Sequence, residues 1–159
     1  MAGAVDVLLA VDIGLRTGLA LFRQDGRLQW YRSQNFGTVT RLRRGVRGVL
    51  TALPELAWLV LEGGGSLAEV WRREADRHGI RVRQISAESW RQHMLYPREQ
   101  RTAAHAKEHA VDLARRVIAW SQARRPTSLQ DDAAEAILVG LWGTLEVGWL
   151  PGLPDELRR

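Results

Sequence analysis

Apolar runs separated by turn-forming residues open the chain, which is the pattern of consecutive β-strands. Residues 5–13 (VDVLLAVDI) are rich in leucine and β-branched residues and alternate between two faces. The apolar pattern then resumes at 19–23 and at 28–33, after turn-forming segments at 14–18 and 24–26. Because tight turns join these runs, they predict three strands of an antiparallel meander.

Beyond residue 40 the apolar residues change to helical spacing, and helices then alternate with strands. Residues 40–53 predict a helix that ends before Pro54, and 58–61 predict a short strand that is buried on both faces. Four further elements are predicted: a helix capped by Ser66 that ends near His78, a strand over 80–85, a helix from Thr102 to about Trp120, and a last helix from Gln130 to about Leu145. This order indicates an α/β fold with a mixed sheet and helices on both faces.

Composition restricts the class of protein. The 159 residues, of which 45% are hydrophobic and 26% charged, predict one globular domain over residues 1–159. The chain has no cysteine, which excludes disulfide frameworks, zinc ribbons and iron–sulfur clusters, so any metal must bind oxygen or imidazole ligands. No segment has the pattern of a targeting signal or a membrane span, and we expect a cytoplasmic protein.

The charge distribution favours a polyanionic partner. Lysine and arginine together number 23 against 18 acids, and Lys107 is the one lysine. Eight arginines and a single acid, Asp25, lie between Arg16 and Arg47, whereas acids dominate from Asp131 onward. A GC-rich genome also favours arginine, but a basic half beside an acidic focus indicates nucleic acid held near a metal.

Acidic residues occur where buried strands end. Asp12 closes the first apolar strand, and Glu62 closes the short strand at 58–61 and is followed by three glycines. Asp132 and Glu135 lie three residues apart at the start of the last helix and therefore share a face. Each acid alone is also explained structurally, since acids in a first helical turn favour the helix dipole.

Taken together, the acids indicate a metal site. Two carboxylates 4 Å apart repel by about 4 kcal/mol at an effective dielectric constant of 20, and divalent cations relieve this repulsion. Carboxylate oxygens without cysteine favour Mg²⁺, with Mn²⁺ as a substitute. We therefore predict two ions per site, bound by Asp12, Glu62, Asp132 and Glu135.

The segments LLAVDIGLRTGLALF, LVLEGGG and QDDAAEAILVGLWG resemble, in the same order, the acidic motifs of the RuvC-type Holliday junction resolvases. The resemblance covers residues 7–145 and implies a ribonuclease H-like fold. ISAESWRQHML followed by AKEHAV is similar to the stretch that leads to the family's active-site lysine, which would be Lys107. The chain departs from the family in having Glu135 where the bacterial enzymes commonly have Asp, and in a shorter segment between Glu62 and Ser86.

The resemblance implies a DNA endonuclease that cuts four-way junctions by two-metal hydrolysis and acts as a homodimer on branched DNA, without a small-molecule cofactor. Asp12 would bridge both ions, Glu62, Asp132 and Glu135 would complete their shells, and Lys107 would hold the scissile phosphate or the attacking water. Alternatives are a YqgF-type ribonuclease H-like nuclease acting on structured RNA and a nucleic-acid-binding domain without catalysis.

Two further groups of residues fit nucleic acid. The arginines of the 40–53 helix indicate a phosphate patch or, alternatively, a solvated helix face: Arg41, Arg43, Arg44 and Arg47. Trp90 and Tyr96, which lie among Arg91, Arg98 and Arg101, are candidates for stacking on unpaired bases, although such tryptophans more often belong to the core.

Overall fold

A five-stranded mixed sheet with the order β3-β2-β1-β4-β5 forms the centre of the molecule in a computed structural model, which describes residues 5–94 and 102–158. The strands are β1 (Val7–Asp12), β2 (Arg16–Arg23), β3 (Leu28–Asn35), β4 (Leu56–Glu62) and β5 (Arg81–Ile85). β1, β2 and β3 form the antiparallel meander, whereas β4 and β5 run parallel to β1. The mixed sheet expected from the order of elements is confirmed.

Five helices cover the two faces of this sheet. They are α1 (Val39–Thr51), α2 (Gly65–Arg77), α3 (Ala87–Met94), α4 (Ala103–Ser121) and α5 (Asp131–Glu146), and a short 3₁₀ turn follows at Asp155–Leu157. α1 and α2 pack on one face, whereas α3, α4 and α5 pack on the other. None of the helices in the described part of the chain is long and apolar enough to cross a membrane.

The alternation in β1 separates the two cores as the sequence pattern predicts. Leu8 and Ala10 face α4 and α5, while Leu9 and Val11 face α1 and α2, and all four side chains are fully buried. Asp12 follows the period of Leu8 and Ala10, so its carboxylate projects toward the α5 side.

Two local predictions need correction. α2 begins at Gly65 with Gly64 as its N-cap and without a side-chain cap, so Ser66 does not cap it. The chain bends sharply there because Gly63 has a φ of +116°, which favours glycine and places the N-cap ahead of the serine. The short helix α3 is absent from the elements predicted from apolar spacing, because its eight residues bury only Trp90.

Helix α5 lies unusually close to the sheet at its acidic start. A Cβ atom on Gly18 would come within 1.9 Å of the carbonyl oxygen of Asp132, and one on Gly140 would come within 2.1 Å of the Phe22 ring. Gly18 is also the register partner of Asp12. The absence of a side chain at Gly18 therefore lets the first turn of α5 approach the acidic end of β1.

We expect Gly18→Ala to destabilise the fold by about 1–3 kcal/mol, because overpacking must push α5 away from β2. Thermal unfolding of the variant measures this loss. Gly48→Ala is the matched control, since a Cβ at this exposed position of α1 meets nothing within 4 Å and alanine favours a helix by up to about 1 kcal/mol. Equal melting temperatures for Gly18→Ala and the native chain would show that the fold does not require the close contact between α5 and β2 at this position.

Candidate metal centre

Three carboxylates meet at the carboxyl ends of the central parallel strands. Asp12 of β1 and Glu62 of β4 are register partners, and Glu135 reaches them from the first turns of α5. Each contributes one oxygen to a group in which all three oxygens lie within 4.8 Å of one another. Asp12 and Glu135 are half-buried, and Glu62 is 7% exposed. This set is called the acidic triad below.

Burial and mutual repulsion raise the pKa values of the triad. The pKa of Asp12 rises to about 9, first because burial penalises the charged form and then because Glu62, Glu135 and Asp132 are close; Glu135 also hydrogen-bonds to its side chain. The pKa of Glu62 rises to about 7, again chiefly because of burial and then because of the charge on Glu135. Three carboxylates held this closely favour a cation between them.

The donor chemistry fits a hard divalent ion. All the candidate ligands are oxygens, and Oε2 of Glu62 is buried without a hydrogen-bond partner among the described residues. The indole N–H of Trp90 points near enough to lower the pKa of Glu62. The indole nitrogen nevertheless forms no hydrogen bond with this carboxylate. A buried oxygen left unpartnered is costly for the fold, and a metal ion would satisfy it.

Asp132 lies beside the acidic triad rather than within it. Its Oδ2 accepts a hydrogen bond from the Ser33 hydroxyl of β3 at 2.8 Å, and its Oδ1 accepts one from the Ala133 N–H at 2.8 Å. Asp132 is near enough that its charge raises the pKa of Asp12. To reach an ion bound by the triad, this carboxylate would have to rotate away from Ser33.

Of the other residues singled out from the sequence, Lys107 lies near this centre, whereas the predicted phosphate patch on α1 does not. Lys107 is exposed on α4 and lines a small groove together with Asp131 and Glu135. Arg43, Arg44 and Arg47 line a separate groove between α1 and α2, whereas Arg41 lies over Gly37 and outside that lining. Trp90 is fully buried, so the stacking role considered for it is wrong; Tyr96, Arg98 and Arg101 lie outside the described residues.

Sequence reasoning missed Arg91 as a site residue. This α3 side chain donates from Nη2 to Oε1 of Glu135 at 3.1 Å, and the two side chains are only 22% and 17% exposed. Arg91 also lowers the pKa of Glu62. The signal in the sequence was weak, because one arginine among many has no distinguishing spacing, but it follows a buried tryptophan that fixes the orientation of α3.

The mixed sheet, its strand order and its flanking helices form a ribonuclease H-like fold of the RuvC type, as the sequence resemblance implied. Comparison with solved structures supports this fold assignment. Thermus thermophilus RuvC in complex with a Holliday junction substrate is similar with a TM-score of 0.61 at 16% identity, over 90% of this chain and 96% of that one.

Two further structures share this fold. One is another structure of Thermus thermophilus RuvC, with a TM-score of 0.62 at 15% identity, over 89% of this chain and 96% of that chain. The other is the yeast mitochondrial Holliday junction resolvase, with a TM-score of 0.55 at 11% identity, over 91% and 82% of the respective chains. No family model matches the sequence, and no curated protein matches it.

Asp12→Asn should raise the melting temperature of the metal-free protein, and the gain should grow with pH. The folded-state pKa of Asp12 is about 9 against an ordinary 3.8, so the native chain loses stability as pH rises through this interval, where the unfolded state releases the proton first. Asparagine does not ionise and escapes this loss. Melting curves recorded in a chelator from about pH 5 to about pH 9 measure the difference.

Asp131→Asn is the matched control. Asp131 is exposed in the first turn of α5, the helix that carries Glu135, and it is not one of the three grouped acids. Its melting temperature should follow that of the native chain at each pH. If both variants follow the native chain at every pH, Asp12 is not under electrostatic strain.

Divalent ions should stabilise the native chain because they relieve repulsion within the acidic triad. At about 100 times its dissociation constant, an ion adds about 2.7 kcal/mol per site, equivalent to a melting-temperature rise of roughly 5–11 °C. Thermal melts with Mn²⁺, Mg²⁺ or no metal measure this rise, and Asp12→Asn should reduce it. A melting temperature that is insensitive to both ions would contradict the site.

Proposed function

We propose that this protein is a divalent-metal-dependent endonuclease of the RuvC type that cuts four-way DNA junctions. The observation that carries the proposal is the convergence of Asp12, Glu62 and Glu135 at the carboxyl ends of β1 and β4. Two findings support it. One is the RuvC-like fold, and the other is that one protein with a similar fold, RuvC, was solved in complex with a Holliday junction substrate.

Under this proposal the acidic triad would hold Mg²⁺ or Mn²⁺, with Asp132 as a further ligand. Two ions bound there would activate a water for in-line attack on a phosphodiester and stabilise the leaving oxygen, giving 5′-phosphate and 3′-hydroxyl ends. Asp12 is central to this arrangement, since it is the register partner of Glu62 and its pKa responds to all three other acids. Asp12 would therefore be the central ligand of the metal, as the sequence resemblance implies.

Two basic side chains near Glu135, from α3 and α4, would complete the site. Lys107 shares a groove with Glu135 and is exposed, so its ammonium group can hold the scissile phosphate or the attacking water. Arg91 already pairs with Glu135, and its guanidinium would hold this carboxylate in position as substrate enters.

The proposal includes a homodimer on the junction. Symmetric cutting of a four-way junction requires two strands to be cut at related positions, and one chain contains one acidic triad among its described residues. Two copies related by a twofold axis would place one centre on each of two strands. The expected cellular roles are DNA recombination and repair in the cytoplasm.

Asp12→Asn should lower the rate of junction cleavage by at least about 100-fold while leaving junction binding largely intact, because it keeps shape but removes a metal ligand worth several kcal/mol in the transition state. Cleavage of labelled junctions with Mg²⁺ and anisotropy binding assays measure the two effects. Glu62→Gln and Glu135→Gln should behave alike.

Asp131→Asn is the control and should cut at nearly the native rate. Asp132→Asn tests whether the residue bonded to Ser33 joins the site during catalysis, and we expect a loss of rate. A panel of four-way junctions, flaps and structured RNA distinguishes the alternatives: preferential cutting of RNA would indicate a YqgF-type nuclease, and metal-independent binding without cutting would indicate a non-catalytic domain.

A further inference from the structure

A groove of about 660 Å³ runs between α1 and α2, on the face of the sheet opposite α5. Arginines line both walls, three from α1 and two from α2: Arg43, Arg44, Arg47, Arg73 and Arg77. This arginine groove also contains Glu69 and Glu74, so five positive and two negative side chains leave a net charge of +3. The predicted phosphate patch on α1 is therefore one wall of a larger feature.

One largely buried carboxylate, that of Glu74 on α2, links the two helices that form the walls of the groove. Glu74 is 12% exposed and lies 3.6 Å from Arg47 of the facing helix, 3.3 Å from Arg77 and 3.5 Å from His78. The side chains of Arg47 and Arg77 remain 66% and 63% exposed, so the ion pairs position them without burying them. Glu74 acts as a positioning residue that fixes two arginines across the groove.

Several other guanidinium groups in the groove remain accessible. Arg73 is 75% exposed and pairs with Glu69 at 3.5 Å, a surface contact that contributes little and yields to a stronger anion. Arg43 and Arg44 are exposed and form no ion pair with any residue of the described chain. Unpaired arginines on α1, which face exposed arginines on α2, suit phosphate oxygens because these match the guanidinium fork.

The direction of the groove follows from the sheet topology. β1, β3 and β4 all run the same way, so α1 and α2 both begin at the edge where Asp12 and Glu62 lie. Ser66 in the first turn of α2 lines the near end of the groove, only four residues after Glu62. At 1.5 Å per residue, Arg73 and Arg77 lie about 12 and 18 Å along α2 from its start.

We infer that the arginine groove binds the phosphate backbone of a nucleic-acid arm that leads away from the acidic triad. The groove starts at the edge where the acids lie, its net charge opposes that of a phosphodiester chain, and its basic residues recur over a distance of about three to four nucleotides at 3.4 Å each. This inference rests on the proposed nuclease function, since it takes the acidic triad as the point from which the arm extends.

The test compares two double variants that remove the same charge. Arg43→Ala with Arg73→Ala removes one arginine from each wall, whereas Arg72→Ala with Arg115→Ala removes two exposed arginines outside the groove. Arg72 donates to Oε1 of Gln84 at 2.9 Å on the other flank of α2, and Arg115 is exposed on α4. All four changes shorten exposed side chains, and melting curves verify that both variants fold.

Binding is measured by anisotropy over a range of salt concentrations, on an Asp12→Asn background that leaves the DNA intact. The substrates are branched DNAs whose hairpin-capped arms have about 10 or about 3 base pairs, since about 3 base pairs end before the position of Arg73. On long arms, the groove variant should flatten the slope of log affinity against log salt by about 1.8, at about 0.9 for each lost phosphate contact. The control variant should keep nearly the native slope.

On short arms, the groove variant should lose the Arg43 contact alone, so its slope should differ from that of the control by about 0.9 rather than about 1.8. Equal slopes for the two variants on long arms would overturn the inference, and so would a groove effect that is as large on short arms as on long ones or a native chain that does not bind branched DNA. The result is independent of cleavage: a chain that shows the arm-length pattern but cuts nothing with Mg²⁺ would refute the nuclease proposal and leave the groove assignment standing.

Discussion

The acidic triad depends on how closely α5 lies on the sheet. Two carboxylates from adjacent parallel strands meet wherever their register is aligned, but Glu135 joins Asp12 and Glu62 only because the start of α5 rests on Gly18. Small residues continue this contact along the helix, where Gly140 meets the Phe22 ring and Gly143 approaches Val60. The helix is therefore positioned by packing, and the repulsion among the acids is opposed by a rigid core.

This arrangement stores electrostatic strain in the fold. Burial first and the neighbouring acids second favour protonation, and both causes raise the pKa values of Asp12 and Glu62. The ion pair between Arg91 and Glu135 offsets part of the repulsion without a metal. A cation bound by the acids would replace proton uptake as the source of stabilisation, so the feature that weakens the metal-free fold would also favour a divalent ion.

Much of the fold and part of the site could be predicted from the sequence, because both depend on short periods along the chain. The alternation in β1 places Asp12 on the α5 side, and an acid that ends each of two parallel strands is expected at one sheet edge. Contacts between segments that are distant along the chain could not be predicted in this way. The hydrogen bond that turns Asp132 toward Ser33 joins residues 99 positions apart, and no local spacing encodes it.

The role of Arg91 at the site could not be predicted from local spacing either. Its helix α3 is eight residues long and is held by the burial of Trp90 against α5, so tertiary packing rather than local propensity sets its orientation. A tryptophan beside an arginine was compatible with base stacking, and only the fully buried indole assigns Trp90 to the core. With Trp90 fixed, the next residue along α3 reaches Glu135, which makes a core residue the support for a functional one.

The two faces of the sheet carry different sets of charged residues. The face that carries α3, α4 and α5 supplies Arg91, Lys107 and Glu135 around the acids, whereas the face that carries α1 and α2 supplies accessible arginines. Both helices of the second face begin at the acidic edge because they follow strands that run in one direction. A single sheet polarity thus brings the carboxylates together and also aligns two basic helices leading away from them, so that the positive charge of α1 and α2 is kept apart from the acids it would otherwise neutralise.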